Sequence, residues 1–204
     1  MLRPARLLHR AEPGHAETAG LLALMLLVDA RAETRLSAAG ELVLLPDQDR
    51  RRWDAEKIRA GQDLLDSALQ IGPAGGYTVQ AAIAAVHAEA PTWADTDWAE
   101  IVGLYDVLLG RWPSPVVALN RAVALGFRDG PQAGLDALEP LQAEPALAGY
   151  GYLSAARADV LSRLHRWTEA VGAYREALAL TDNDVERAFL SSRLQTARER
   201  QVPT

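Results

Sequence analysis

One motif occurs twice, 69 residues apart, and it narrows the folds open to this chain more than any other feature. Residues 98–109 read W-A-E-I-V-G-L-Y-D-V-L-L, and residues 167–178 read W-T-E-A-V-G-A-Y-R-E-A-L. Trp98/Trp167, Glu100/Glu169, Val102/Val171, Gly103/Gly172, Tyr105/Tyr174 and Leu109/Leu178 coincide. The offset is two units of about 34 residues, a period of stacked helix pairs, and a looser middle copy runs from Leu125 to Leu141. In such an array each pair buries one face on its neighbour. Gly103 and Gly172 are expected to let paired helices approach, and the aromatic seven residues after each Trp to fill the gap to the next helix.

Composition agrees with helices. Ala (38) and Leu (31) make up a third of the 204 residues, whereas the β-branched Val (13) and Ile (4) are few. Apolar spacing and turn residues predict a short helix over 2–11, a nearly all-apolar helix over 15–31 and an amphipathic one over 54–71. Further helices are expected near 77–90, 97–111, 115–127, 130–142, 150–164, 167–181 and 183–200, with prolines at their edges. Asp97, Ser114 and either Asp182 or Asn183 have N-cap character. The fold class is therefore all-α, a tetratricopeptide-like antiparallel helix-pair array, with room for one small β-hairpin near residues 35–45. We read 1–204 as a single helical domain, with N-terminal helices and an irregular segment over 20–76 and the repeat region over 77–200.

Several function classes are closed by residue type. No cysteine is present, which excludes disulfides, thiolate metal sites and a cysteine nucleophile. Four histidines without HxxxH or HExxH spacing argue against a zinc centre, and no metal or cofactor is expected. The net charge of −6 argues against a nonspecific nucleic-acid footprint, so no direct DNA binding is expected. The longest apolar run, Leu21 to Val28, has eight residues, too few for the roughly 20 of a membrane span. A cytoplasmic location without membrane contact follows as the expectation. The Gly72-Pro73-Ala74-Gly75-Gly76 stretch lacks the GK[ST] of a phosphate loop and reads as a connector.

The densest polar cluster is Asp47-Gln48-Asp49-Arg50-Arg51-Arg52-Trp53-Asp54. Asp47, Asp49 and Asp54 could supply oxygen ligands to a hard cation, but three adjacent guanidiniums compete for them. The alternative is a capped helix start, with Asp49 or Asp54 at the N-terminus, local Arg pairs and Trp53 in the core. A second set centres on His87, which lies on an alanine-rich helix as a core residue or as a pocket group with Asp95 or Asp97. Glu89, two residues on, cannot share its helix face. Asp97 with Glu100 forms a capping box before Trp98. Asn120 and Arg121 interrupt an apolar helix, either lining the groove of the array or bonding within it. No nucleophile elbow or dinucleotide fingerprint is present, so no catalytic residue is assigned.

Taken together, LLALMLLVDAR, GELVLLPDQDRRRWD, YTVQAAIAAVHAEAPTWADTDWAEIVGLYDVLL and SPVVALNRAVAL resemble the C-terminal extension of a group of bacterial extracytoplasmic-function RNA polymerase sigma factors. The resemblance covers roughly residues 20–197. It implies a tetratricopeptide-like helical domain acting as a regulatory and interaction module. It does not carry promoter binding over, because the two promoter-binding regions of such factors do not fit in the 20 residues before the match. The chain is thus either part of a longer protein or a freestanding relative.

Two functions are expected on these grounds. The first is a non-catalytic protein-interaction module in transcription regulation. Its partner would be sigma-factor regions, RNA polymerase or a regulator, with Asp47, Asp49, Arg50, Trp53 and Asp54 as brace or contact patch. The second is a relative recruited as a small-molecule-binding protein or enzyme, with a pocket between helices gathering His87, Glu89, Asp97, Trp98 and Asn120.

Overall fold

A computed structural model describes residues 2–201, and among them the secondary structure is helical. Ten α-helices follow in order: α1 (Leu2–Ala11), α2 (Ala16–Asp29), α3 (Ala55–Ile71), α4 (Gly76–Glu89), α5 (Trp98–Arg111), α6 (Pro115–Arg128), α7 (Pro131–Leu138), α8 (Gly151–Arg163), α9 (Trp167–Ala179) and α10 (Asp184–Gln201). Short 3-10 turns fill 32–34, 45–47, 50–52, 139–143 and 145–147. Each expected helix is present within a few residues of its expected ends. Where the small hairpin was expected, Leu36 and Leu42 are bridge residues and Val43 N–H donates to Arg35 C=O at 2.9 Å, with no longer strand among the described residues. Among the described residues no helix is long and apolar enough to cross a membrane.

The chain forms two compact units. One holds residues 1–37 and 43–113, the other 38–42 and 114–204. The seam after Pro113 falls inside the stretch from residue 77 expected as one repeat region, and it groups α4 and α5 with the N-terminal helices.

In the first unit α2 is the centre. Leu22 and Leu26 pack on Ala5 of α1, while Ala23 and Leu27 pack with Leu65 of α3 and Ala81 and Ala85 of α4. This is why α2 is apolar all round: it has neighbours on most of its circumference. In the second unit the helices pack in chain order, α6 on α7, α7 on α8, α8 on α9 and α9 on α10. Its core runs through Leu119, Leu135, Leu138, Leu161, Tyr174 and Leu190.

The repeat survives as a register. α5, α7 and α9 begin at residues 98, 131 and 167, close to the expected interval. Val102/Val171 are buried, as is Tyr174, with Tyr105 half-buried. The expectation for the glycines is wrong. Gly103 and Gly172 are exposed, and a β-carbon on either would meet nothing within 4 Å. They sit on the outer faces of α5 and α9. Close approach is made instead by small residues on the inner faces. Ala158 of α8 and Ala170 and Ala177 of α9 are fully buried, and a β-carbon on Gly134 of α7 would lie 2.8 Å from Gly126 Cα of α6. Pair spacing is set there, backbone against backbone.

Candidate functional site

The irregular segment between α2 and α3 is fixed by a buried hydroxyl. Thr34 Oγ1 accepts from Trp53 Nε1 at 3.1 Å and lies 2.9 Å from Arg31 C=O and 3.1 Å from Gln48 Oε1, so its proton has an acceptor. Gln48 Nε2 donates to Val43 C=O at 3.1 Å. Asp54 N–H donates to Ala30 C=O at 2.9 Å. Trp53, Gln48 and Thr34 are buried, each with its polar atoms used, as a buried polar group requires.

Arg50 carries this segment across to α4. Its Nη1 donates to the carbonyls of His87 at 2.5 Å and Ala90 at 2.6 Å, and its Nη2 reaches Thr96 Oγ1 at 3.4 Å. Those carbonyls are the ones an ending helix leaves open, and a cation there also suits the helix dipole. The guanidinium lies 4.9 Å from the Trp53 ring centroid, a cation–π contact. The two candidate sets, 47–54 and the His87 region, are therefore one assembly joined through Arg50.

His87 is enclosed by aromatic rings. It stacks on Trp93 (6.2 Å between centroids, 9° between planes) and meets Trp98 edge-on at 5.4 Å, and the two indoles touch at 4.8 Å. Its Nδ1 is buried without a hydrogen-bond partner. Burial, followed by the charges of Arg31 and Arg50, lowers its pKa to about 4, so the ring is neutral at pH 7.

The remaining sequence candidates go to separate tasks. Asp49 pairs bidentately with Arg51 at 2.9 and 3.0 Å and accepts from Arg51 N–H. Asp54 caps α3 by accepting from Glu56 and Lys57 N–H at 3.1 Å, and its other oxygen meets Lys57 Nζ at 3.2 Å. Asp47 ends the 45–47 turn and is exposed. These assignments use Asp49 and Asp54 as a local ion pair and a cap. Among the described residues no three His, Asp or Glu side chains gather to hold a metal ion.

Asp97 caps α5 by accepting from Glu100 N–H at 2.8 Å. Glu89 accepts from Gln62 of α3 at 3.0 Å, on a different side from the His87 ring partners. Asn120, exposed, and Arg121, partly buried, lie on α6 in the second unit. Of the pocket expected around His87, the structure joins His87 to Trp98 and adds Trp93, Arg50 and Thr96.

A further element has no counterpart in the sequence candidates. Glu17 of α2 accepts from Tyr77 N–H at 2.9 Å, Thr78 N–H at 3.1 Å and Thr78 Oγ1 at 2.6 Å, at the N-terminus of α4. Partial burial works to raise its pKa, but these donors outweigh it and the net shift is downward. A β-carbon on Gly75 would collide with this carboxylate, and one on Gly76 with the Trp112 ring. The Gly-Gly pair is the signal that could have exposed the contact, since adjacent glycines before a helix mark a close approach. Both ends of α4 are thus capped from elsewhere in the unit, by Glu17 and by Arg50.

Known proteins match without naming an activity. A model of a family of unknown function (DUF6596) matches residues 1–69, which include the 47–54 segment. No solved structure matches the chain. Over 193 residues it is 45% identical to the uncharacterized protein R00370 of Rhizobium meliloti (strain 1021), a match covering 95% of this chain and 45% of that protein. The chain therefore spans less than half the length of that curated relative, to which it is similar nearly end to end.

Proposed function

We propose that the chain is a non-catalytic module that binds a protein partner in sigma-factor-dependent transcription regulation. The observation that carries the reading is the two-sidedness of residues 47–54. Inward, Gln48, Arg50 and Trp53 are tied to Thr34, α4 and the 90–96 turn. Outward, Asp47, Arg51 and Arg52 are exposed, and the Asp49 side chain is 39% exposed. A charged turn held this firmly loses little freedom on binding, and its charges orient an incoming partner.

The resemblance to sigma-factor extensions supplies the partner: the promoter-binding regions of such a factor, with core polymerase or a regulator as further partners. Duplex DNA is not a partner in this reading. The test is calorimetric titration of the chain with purified promoter-binding regions of an extracytoplasmic-function sigma factor of this group. Saturable binding is expected, with Kd rising at least about tenfold in Asp49→Ala while Tm stays within about 2 °C. Trp53→Ala is expected to lose about 3–5 kcal/mol of stability. Unchanged binding by both variants removes the site assignment, and absence of wild-type binding removes the function.

A further inference from the structure

We infer that the turn after α2 is a binding site for a small dianionic oxyanion of the phosphate class, seated on Arg31. Three guanidiniums meet there. Arg31 and Arg35 stand at the two ends of the 32–34 turn. Thr34 of that turn holds the Trp53 indole, and the Arg50 guanidinium lies over the Trp53 ring. Arg31 is partly buried, and burial, followed by the charges of Arg35 and Arg50, lowers its pKa.

Their bonding sets the three apart. Arg35 Nη2 donates to Val28 C=O at 2.9 Å, and Arg50 Nη1 donates to the carbonyls of His87 and Ala90. Those acceptors fix the two side chains but carry no net charge, so they leave the positive charge in place. Among the described residues the Arg31 guanidinium has no hydrogen bond and no ion pair. The neighbouring acids are directed elsewhere. Asp29 pairs with Lys57 at 3.0 Å. Asp95 offsets Arg50 in part and accepts from the Thr92 hydroxyl at 2.6 Å. Glu33, on the turn itself, is exposed and forms no ion pair.

A partly desolvated cation beside two like charges is costly to keep without a counter-ion. Arg31 retains part of its surface in contact with solvent, so an oxyanion can reach it. The guanidinium fork matches two oxygens of such a group. A dianion offsets more of the threefold charge than a monocarboxylate does. The inference stands apart from partner binding, since Arg31 and Arg35 lie outside residues 47–54 and the ligand is a small ion.

Calorimetric titration of the full chain with inorganic phosphate, sulfate, glycerol 3-phosphate and acetate, each at the same ionic strength in sodium chloride, tests this. Phosphate and sulfate are expected to bind saturably at one site, with acetate at least about tenfold weaker. Tighter binding of glycerol 3-phosphate than of phosphate would assign a phosphate monoester as the ligand, and weaker binding would assign the free ion. Arg31→Gln is expected to raise Kd at least about tenfold and to lose the rise in Tm that phosphate gives the wild type. A second measurement needs no variant. Sulfate bound at Arg31 should raise the pKa of the His87 ring, followed by NMR, because Arg31 is one of the charges that lower it. The inference is overturned if neither phosphate nor sulfate binds saturably, if acetate binds as tightly as they do, if Arg31→Gln binds as wild type does, or if sulfate leaves the His87 titration unmoved.

Discussion

In the first unit α1, α3 and α4 all pack on α2, whereas in the second each helix packs on the next in sequence. The hub brings together segments far apart in the chain, and charged side chains brace them: Glu17 reaches the start of α4, 61 residues on, and Arg50 reaches its end. In the sequential stack, helix approach is set by small buried residues, Gly126 against Gly134 and Ala158 beside Ala170 and Ala177. One helix-rich composition thus supports two ways of holding helices, polar cross-bracing and close apolar contact.

The contrast can be broken by substitutions chosen for each unit. Among these, the largest effect in the second unit is expected from Gly134→Val. Its β-carbon would meet the Gly126 backbone at 2.8 Å, so α6 and α7 must separate at a cost of about 3 kcal/mol. Urea unfolding measures it, and a loss below about 1 kcal/mol would mean that the pair is not closely packed.

The first unit is expected to answer to pH through His87. Its pKa is lowered from 6.5 to about 4 in the fold, so the unfolded chain takes up the proton first. Stability is therefore full above pH 6.5, falls between about 6.5 and 4, and loses roughly 2–3 kcal/mol across that window. His87→Gln should remove this part of the slope and leave the later carboxylate losses below it. A slope unchanged by the substitution would mean that the ring is not held neutral by its surroundings.

A smaller loss, about 1–2 kcal/mol after allowance for water access, is expected for Glu17→Ala. Hydrogen exchange should show faster opening at the first turn of α4. The smallest effect has the opposite sign. Gly172→Ala meets no neighbour and replaces a poor helix former on an outer face, so it should stabilise by up to about 1 kcal/mol. Destabilisation there would restore the close-approach role that the repeat suggested.

Helices and their limits were legible because they depend on local signals: apolar spacing, proline edges and caps such as Asp54 and Asp97. The period was legible for the same reason, since it repeats a local pattern. The role of Gly103 and Gly172 was misread because the repeat marks equivalent positions without saying which face they occupy. In the candidate site, local reading expected a cap at Asp49 or Asp54, local Arg pairs and Trp53 in the core, and the structure makes Asp54 the cap of α3 and Asp49 with Arg51 the pair. Local reading missed Thr34, Trp93 and Glu17, whose partners lie 3 to 61 residues away and are chosen by tertiary packing. Arg50 was named as a candidate, but nothing local distinguishes it from Arg51 or Arg52. Its role comes from the α4 carbonyls it reaches.

The central claim is that residues 47–54 have a bracing side and a contact side. The most direct measurement is paired, comparing Asp49→Ala and Arg50→Met in Tm and in calorimetric binding to sigma-factor promoter-binding regions. Arg50→Met should lower Tm by several degrees through the freed α4 carbonyls, while Asp49→Ala should keep the wild-type Tm and weaken binding at least about tenfold. If Asp49→Ala binds as tightly as wild type, or if Arg50→Met leaves Tm unchanged, the segment does not have the two sides described.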